Sequence, residues 1–106
     1  MTFKKKVDDN QKQIVQLFRD LGANVAITSS AGNGFPDLVV QYRCPWRCKL
    51  QTFLVEIKNS ELPPSKRRLT KAQVKFHAVF NCHIVECEQD IYDLLGMVNP
   101  DGEFAE

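Results

Sequence analysis

The chain has 106 residues, 43% hydrophobic and 25% charged, with a formal net charge of +1. That length holds one small domain around one core and excludes two independent ones, and the near-neutral balance means that any nucleic-acid partner must be met by local charge. No apolar run is long enough to span a bilayer and the stretch 1–6 lacks a signal-peptide core, so a cytoplasmic protein with no membrane partner is expected.

In chain order, a basic tip at Lys4 to Lys6 is followed by a segment from Asp8 to Leu21 that sets Ile14, Leu17, Phe18 and Leu21 at helical spacing. Asp8 or Asp9 is the expected N-cap and Gly22 the stop. "NVAITSS" reads as a strand and "AGNG" as a turn; "DLVVQY" (Asp37 to Tyr42) and "LQTFLVEIK" (Leu50 to Lys58) read as two further strands joined by "RCPWRCK". "NSELPPSKRR" is a basic loop, because Pro63 and Pro64 each remove a backbone donor. Thr70 opens a helix with the capping-box pattern "TKAQ"; Leu69 is placed to staple onto Val74, and Phe76, Val79 and Phe80 continue an apolar stripe. "CHIVEC" (Cys82 to Cys87) is a fourth strand, Ile91, Leu94 and Leu95 mark a last short helix, and the acidic end is expected to fray. The order predicts an α/β sandwich with a mixed central sheet.

The charges can be placed on that order. In a strand, successive side chains alternate between faces, so Leu54, Glu56 and Lys58 share one face and Phe53, Val55 and Ile57 the other. Asp37 begins the preceding strand straight after Pro36, and pairing of the two strands brings Asp37, Glu56 and Lys58 to one patch. Buried charges are costly unless paired, hydrogen-bonded or metal-bound. Two carboxylates suit Mg²⁺ or Mn²⁺, with Asp37, Glu56 and the carbonyl of Ile57 as oxygen ligands. The ion lowers the pKa of water and offsets charge on a phosphate, while Lys58 positions or deprotonates the water. The chemistry so assembled is metal-assisted phosphodiester hydrolysis. The bland alternative is a solvated ion pair at a strand end, which is worth little.

"FPDLVV" followed by "LVEIK" resembles the PD-(D/E)xK nuclease superfamily. Together with "DNQKQIVQLFRDLGANV", "SELPPSKRRLTKAQVKFH" and "CHIVE", the pattern looks like the stand-alone VRR-NUC (virus-type replication-repair nuclease) proteins of phages and prophages, over roughly Val7 to Leu95. The resemblance implies a restriction-endonuclease-like αβββαβ core flanked by helices, spanning 1–106 as one nuclease domain with 1–6 and 99–106 as tails. It also implies a divalent-metal-dependent DNA endonuclease built on Asp37, Glu56 and Lys58, a homodimer, and a preference for branched DNA such as four-way (Holliday) junctions, in a bacterial host cell. Many relatives in the superfamily carry a glutamate on the first helix; Gln11, beside Asn10, stands at the matching place, which leaves a second metal in question. "RCPWRCK" matches no motif of the family. A catalytically inactive DNA-binding module and a flap or sequence-specific nuclease are the alternatives.

The remaining candidates each have two readings. Gln73 either orients Lys58, the water or a phosphate, or is only the third position of the capping box; Gln11, following Asp8, has the same ambiguity. Lys66, Arg67, Arg68 and Lys71 suit phosphate contacts that position DNA without reading its sequence, or form a solvated loop. "GNG" lacks the lysine and hydroxyl of a Walker loop, so no nucleotide cofactor is expected. Cys44 and Cys48 around Trp46 are half a zinc site, a DNA-stacking finger, or a turn with free thiols. His77 and His83 read as surface residues.

Overall fold

The structure, a computed structural model, describes residues 7–45, 49–59, 63, 65 and 68–97, with side chains from residue 10 onward. The order is α1 (Val7–Asp20), β1 (Asn24–Ile27), β2 (Leu38–Cys44), β3 (Lys49–Ile57), α2 (Lys71–Val79), β4 (Cys82–Val85) and α3 (Glu88–Leu95). The strands form one sheet in the order β1-β2-β3-β4. β1 to β3 pair antiparallel and β4 joins β3 parallel, after the crossover through α2 that a parallel neighbour requires. The expected mixed α/β sheet flanked by helices is therefore present.

Several boundaries moved. α1 spans Val7–Asp20, so Asp8 and Asp9 stand within the helix and not at its N-cap. It stops at Gly22, whose φ of +97° turns the chain while its N–H donates to the Arg19 carbonyl. β2 begins one residue after Asp37 and runs on to Cys44, because "RCPWRCK" joins an antiparallel pair in which Cys44 faces Lys49. β4 ends at Val85, and Cys87 is the N-cap position of α3 without a side-chain cap bond. Trp46, Arg47 and Cys48, Lys66 and Arg67, and both tails lie outside the described residues.

One face of the sheet carries the core. Leu38, Val40, Tyr42 and Cys44 of β2 alternate with more exposed neighbours, and Phe53 and Val55 of β3 do the same until Glu56, which is buried on the opposite face between Val55 and Ile57. Against them pack Ile14, Val15 and Phe18 of α1, and Ile91 and Leu95 of α3. The opposite face holds Val39, Gln41 and Arg43 of β2 and Leu50, Thr52 and Leu54 of β3, none of them fully buried. α2 contributes no buried residue, and of the expected apolar stripe Val74 (53% exposed), Val79 (76%) and Phe80 (49%) are exposed.

Candidate functional site

The site forms where β2 ends early. Leu38 faces Val55, so Asp37 falls opposite Glu56, one step beyond the last ladder pair. There the Asp37 carboxylate replaces a backbone acceptor: the Ile57 N–H donates to its Oδ2 at 2.9 Å. The loop before it is tied to β1, since the Thr28 N–H donates to the Asp37 carbonyl at 2.7 Å and the Thr28 hydroxyl to the Pro36 carbonyl at 2.8 Å. These bonds hold Asp37 rigidly, as a positioned ligand requires.

Glu56 is 2% exposed and is the one charged side chain buried among the described residues. Its Oε2 accepts from Gln73 Nε2 at 2.8 Å and lies 3.7 Å from Lys58 Nζ, whereas its Oε1 is buried with no donor. Burial, and behind it the nearby Asp37 carboxyl, push its pKa up to about 7, with Lys58 pulling the other way. Two acceptors thus face one another with no donor between them, so a proton or a cation is the missing partner.

Lys58 lies just past the end of β3, its amide bonded to the Val85 carbonyl at 3.1 Å. Its ammonium donates to Gln73 Oε1 at 3.2 Å and to the Arg68 carbonyl at 3.4 Å. Gln73 therefore completes the cap and also contacts Glu56 and Lys58. Its Oε1 takes the Thr70 N–H at 2.9 Å, its own N–H donates to the Thr70 hydroxyl at 3.2 Å, and the same amide bridges Glu56 and Lys58. The capping box that starts α2 is built from a site residue.

From α1 the link to this strand end is Asn10, whose side-chain amide donates to the Lys58 carbonyl at 3.3 Å. Nothing in the sequence marked Asn10 over Gln11, because the helix phase against the sheet decides which of the two faces β3. Gln11 is half-buried and lines a shallow cavity of about 280 Å³ with Lys12, Arg19 and Ile27. Arg68 and Lys71 are exposed beside the start of α2, and Arg68 touches the site through its main chain, which its side-chain chemistry could not have signalled.

Asp37, Glu56 and the Ile57 carbonyl would be the oxygen donors offered to a hard divalent cation. Among the described residues no group of three or more His, Cys, Asp and Glu gathers. Two carboxylates with a backbone carbonyl leave positions for water and phosphate, as Mg²⁺ prefers, and do not make a closed zinc site. Cys44 is buried on the core face, and Cys44, Cys82 and Cys87 are free thiols. No described helix is long and apolar enough to cross a membrane. Comparison with family models, with curated proteins and with solved structures found no match for this chain.

Proposed function

We propose that the protein is a divalent-metal-dependent DNA endonuclease of the PD-(D/E)xK type, with Asp37, Glu56 and Lys58 as its reacting core. The observation that carries the proposal is the buried Glu56 carboxylate, which meets Asp37 with no donor for its Oε1. A carboxylate pair with one buried oxygen left without a donor lowers stability and is expected where a cation completes it. Bound by Asp37, Glu56 and the Ile57 carbonyl, Mg²⁺ or Mn²⁺ supplies Lewis-acid stabilisation of phosphate charge and an acidified water.

The chain's own groups do the rest. Lys58 Nζ, held by Gln73 Oε1 and the Arg68 carbonyl, carries an N–H toward the attacking water or the phosphate and balances its developing charge. Gln73 keeps Glu56 and Lys58 apart at a set spacing by bonding both.

DNA as substrate is supported by charge. The net +1 conceals a segregation: from Leu38 to Ile84 the sequence holds nine Lys and Arg against two carboxylates. Arg43, Lys49, Arg68, Lys71 and Lys75 of that stretch are exposed. Such a field attracts a polyanion. The VRR-NUC resemblance of the sequence adds branched DNA and a homodimer to the proposal.

The test is cleavage of matched four-way-junction, flap and linear duplex DNAs with Mg²⁺ or Mn²⁺, with Asp37→Ala and Lys58→Ala alongside. The expected result is metal-dependent cutting that falls roughly 10²–10⁴-fold in Lys58→Ala. Binding of all three DNAs without cutting under either metal would leave an inactive binding module in its place.

A further inference from the structure

Phe35, Phe76 and Phe80 form a continuous aromatic ladder. Phe35 meets Phe76 edge-on, with centroids 5.2 Å apart and planes at 72°, and Phe76 stacks on Phe80 at 4.4 Å and 25°. The ladder is anchored in the two segments that supply the site. Phe35 lies two residues before Asp37, and Phe76 follows Gln73 by one helical turn on α2.

A packing role is satisfied by the first contact alone, since Phe35 against Phe76 ties α2 to the loop before Asp37. Phe80 does not serve that tie. It sits at the C-cap of α2, where the chain is already extended (φ −108°, ψ 142°), and is 49% exposed beside the still more exposed Val79. Among the described residues Phe76 is the only ring against it, so its other face has no aromatic partner.

A large ring left open at the edge of a cationic surface needs an occupant of matching chemistry. A second copy of this chain presenting the same helix would bring positive charge onto positive charge, because Lys71 and Lys75 are exposed on α2, on faces turned away from the ladder, and no acidic residue lies on that helix. A single nucleic-acid strand offers phosphates to the lysines and a π-face to the ring.

We propose that Phe80, backed by Phe76 and Phe35, is a stacking site for an unpaired nucleobase of the strand positioned at Asp37 and Glu56. The proposal rests on the nuclease reading and narrows it: the preferred DNA carries an unstacked base near the cut, as at a flap, a branch point or a single-stranded end. A fully paired duplex has no base to offer Phe80.

The experiment measures binding, in Ca²⁺, of an oligothymidine, a flap and a linear duplex to the wild type, Phe80→Leu and Phe80→Trp, with thermal midpoints checked for all three proteins. Fluorescence of 2-aminopurine scanned along the flap reports stacking. Phe80→Leu is expected to weaken the single strand and the flap roughly 5- to 150-fold while leaving the duplex within about twofold. Phe80→Trp restores them, and 2-aminopurine is quenched at one position near the branch in the wild type but not in Phe80→Leu. Equal losses on all three DNAs, or none, overturn the proposal, as does a wild-type dimer that Phe80→Leu dissociates. If the wild type cuts DNA and Phe80→Leu binds normally, stacking fails and the nuclease reading stands. If Phe80-dependent binding occurs without cutting under Mg²⁺ or Mn²⁺, the nuclease reading fails and stacking stands.

Discussion

At the scale of single residues, Glu56 links stability to chemistry. Its pKa is raised to about 7 by burial and by Asp37, so the folded state binds its proton more tightly than the unfolded chain does. Stability that this carboxyl contributes is complete below its ordinary value and is lost as pH rises through about 7. Without metal, denaturant titrations are therefore expected to show the protein weakening by about 1–3 kcal/mol across that window, since Lys58 and Gln73 offset part of the cost of charging the buried group. Glu56→Gln should remove the slope and be the more stable form at pH 8, while losing cleavage. Added Mg²⁺ should stabilise the wild type at pH 8 and not Glu56→Gln, by mass action on the folded state. Gln73 allows a second separation of roles. Gln73→Glu retains a residue able to complete the capping box but sets a third carboxylate against Glu56, which already lacks a donor at Oε1. The expected outcome is a large loss of cleavage, roughly 10²-fold or more, with helix content by circular dichroism unchanged.

At the scale of elements, α2 is seated by contacts that involve the site residue Gln73 and the loop leading to Asp37. It buries no residue of its own, so its place depends on the Thr70 and Gln73 cap, the Phe35–Phe76 contact and a close approach at Gly34. A Cβ at Gly34 would collide with the Ala72 carbonyl oxygen and meet the Gln73 nitrogen at 2.9 Å, and its φ of +81° disfavours any L side chain besides. Gly32 has a similar φ of +77° but open space around it. Gly32→Ala should therefore cost about 1–2 kcal/mol, the conformational penalty alone. Gly34→Ala should cost more and also lower cleavage, because the helix that carries Gln73 must shift. Comparison of thermal midpoints and of cleavage rates for the two variants checks this. Equal effects would mean that the loop does not position α2.

At the scale of the whole molecule, the sheet has two unlike sides. One is covered by α1 and α3 and carries the core, and the other is exposed at Gln41, Arg43, Leu50 and Thr52 but buries Glu56 beside Gln73 of α2. The positive stretch from Leu38 to Ile84 supplies the strands and helix of that open side, while the acidic residues of α3 lie behind it. If the open side tracks a phosphate backbone, the logarithm of the DNA association constant should fall linearly with the logarithm of salt concentration. Replacing Lys71 and Lys75 together by Gln should make that slope shallower by roughly one for each phosphate contact removed, on every DNA tested. A slope unchanged in the double variant would place the DNA elsewhere.

The sequence by itself determined what depends on local backbone periodicity and on chain order. It specified the succession of helices and strands, the alternation that puts Glu56 on the face opposite Val55 and Ile57, the capping box at Thr70, and the approach of Asp37 to Glu56 across a short antiparallel pair. Only the tertiary structure decided which side of the sheet would be covered, that Asn10 and not Gln11 would reach the Lys58 carbonyl, and that one amide of Gln73 would serve both cap and site. It also decided that Val74, Val79 and Phe80, which read as part of an apolar stripe, would be left exposed. The physical reason is the same in each case. A strand's two-residue period and a helix's capping bonds lie within a few residues, whereas the phase and seat of a helix on a sheet are set by contacts between distant segments, here at sequence separations of 15 to 48 residues.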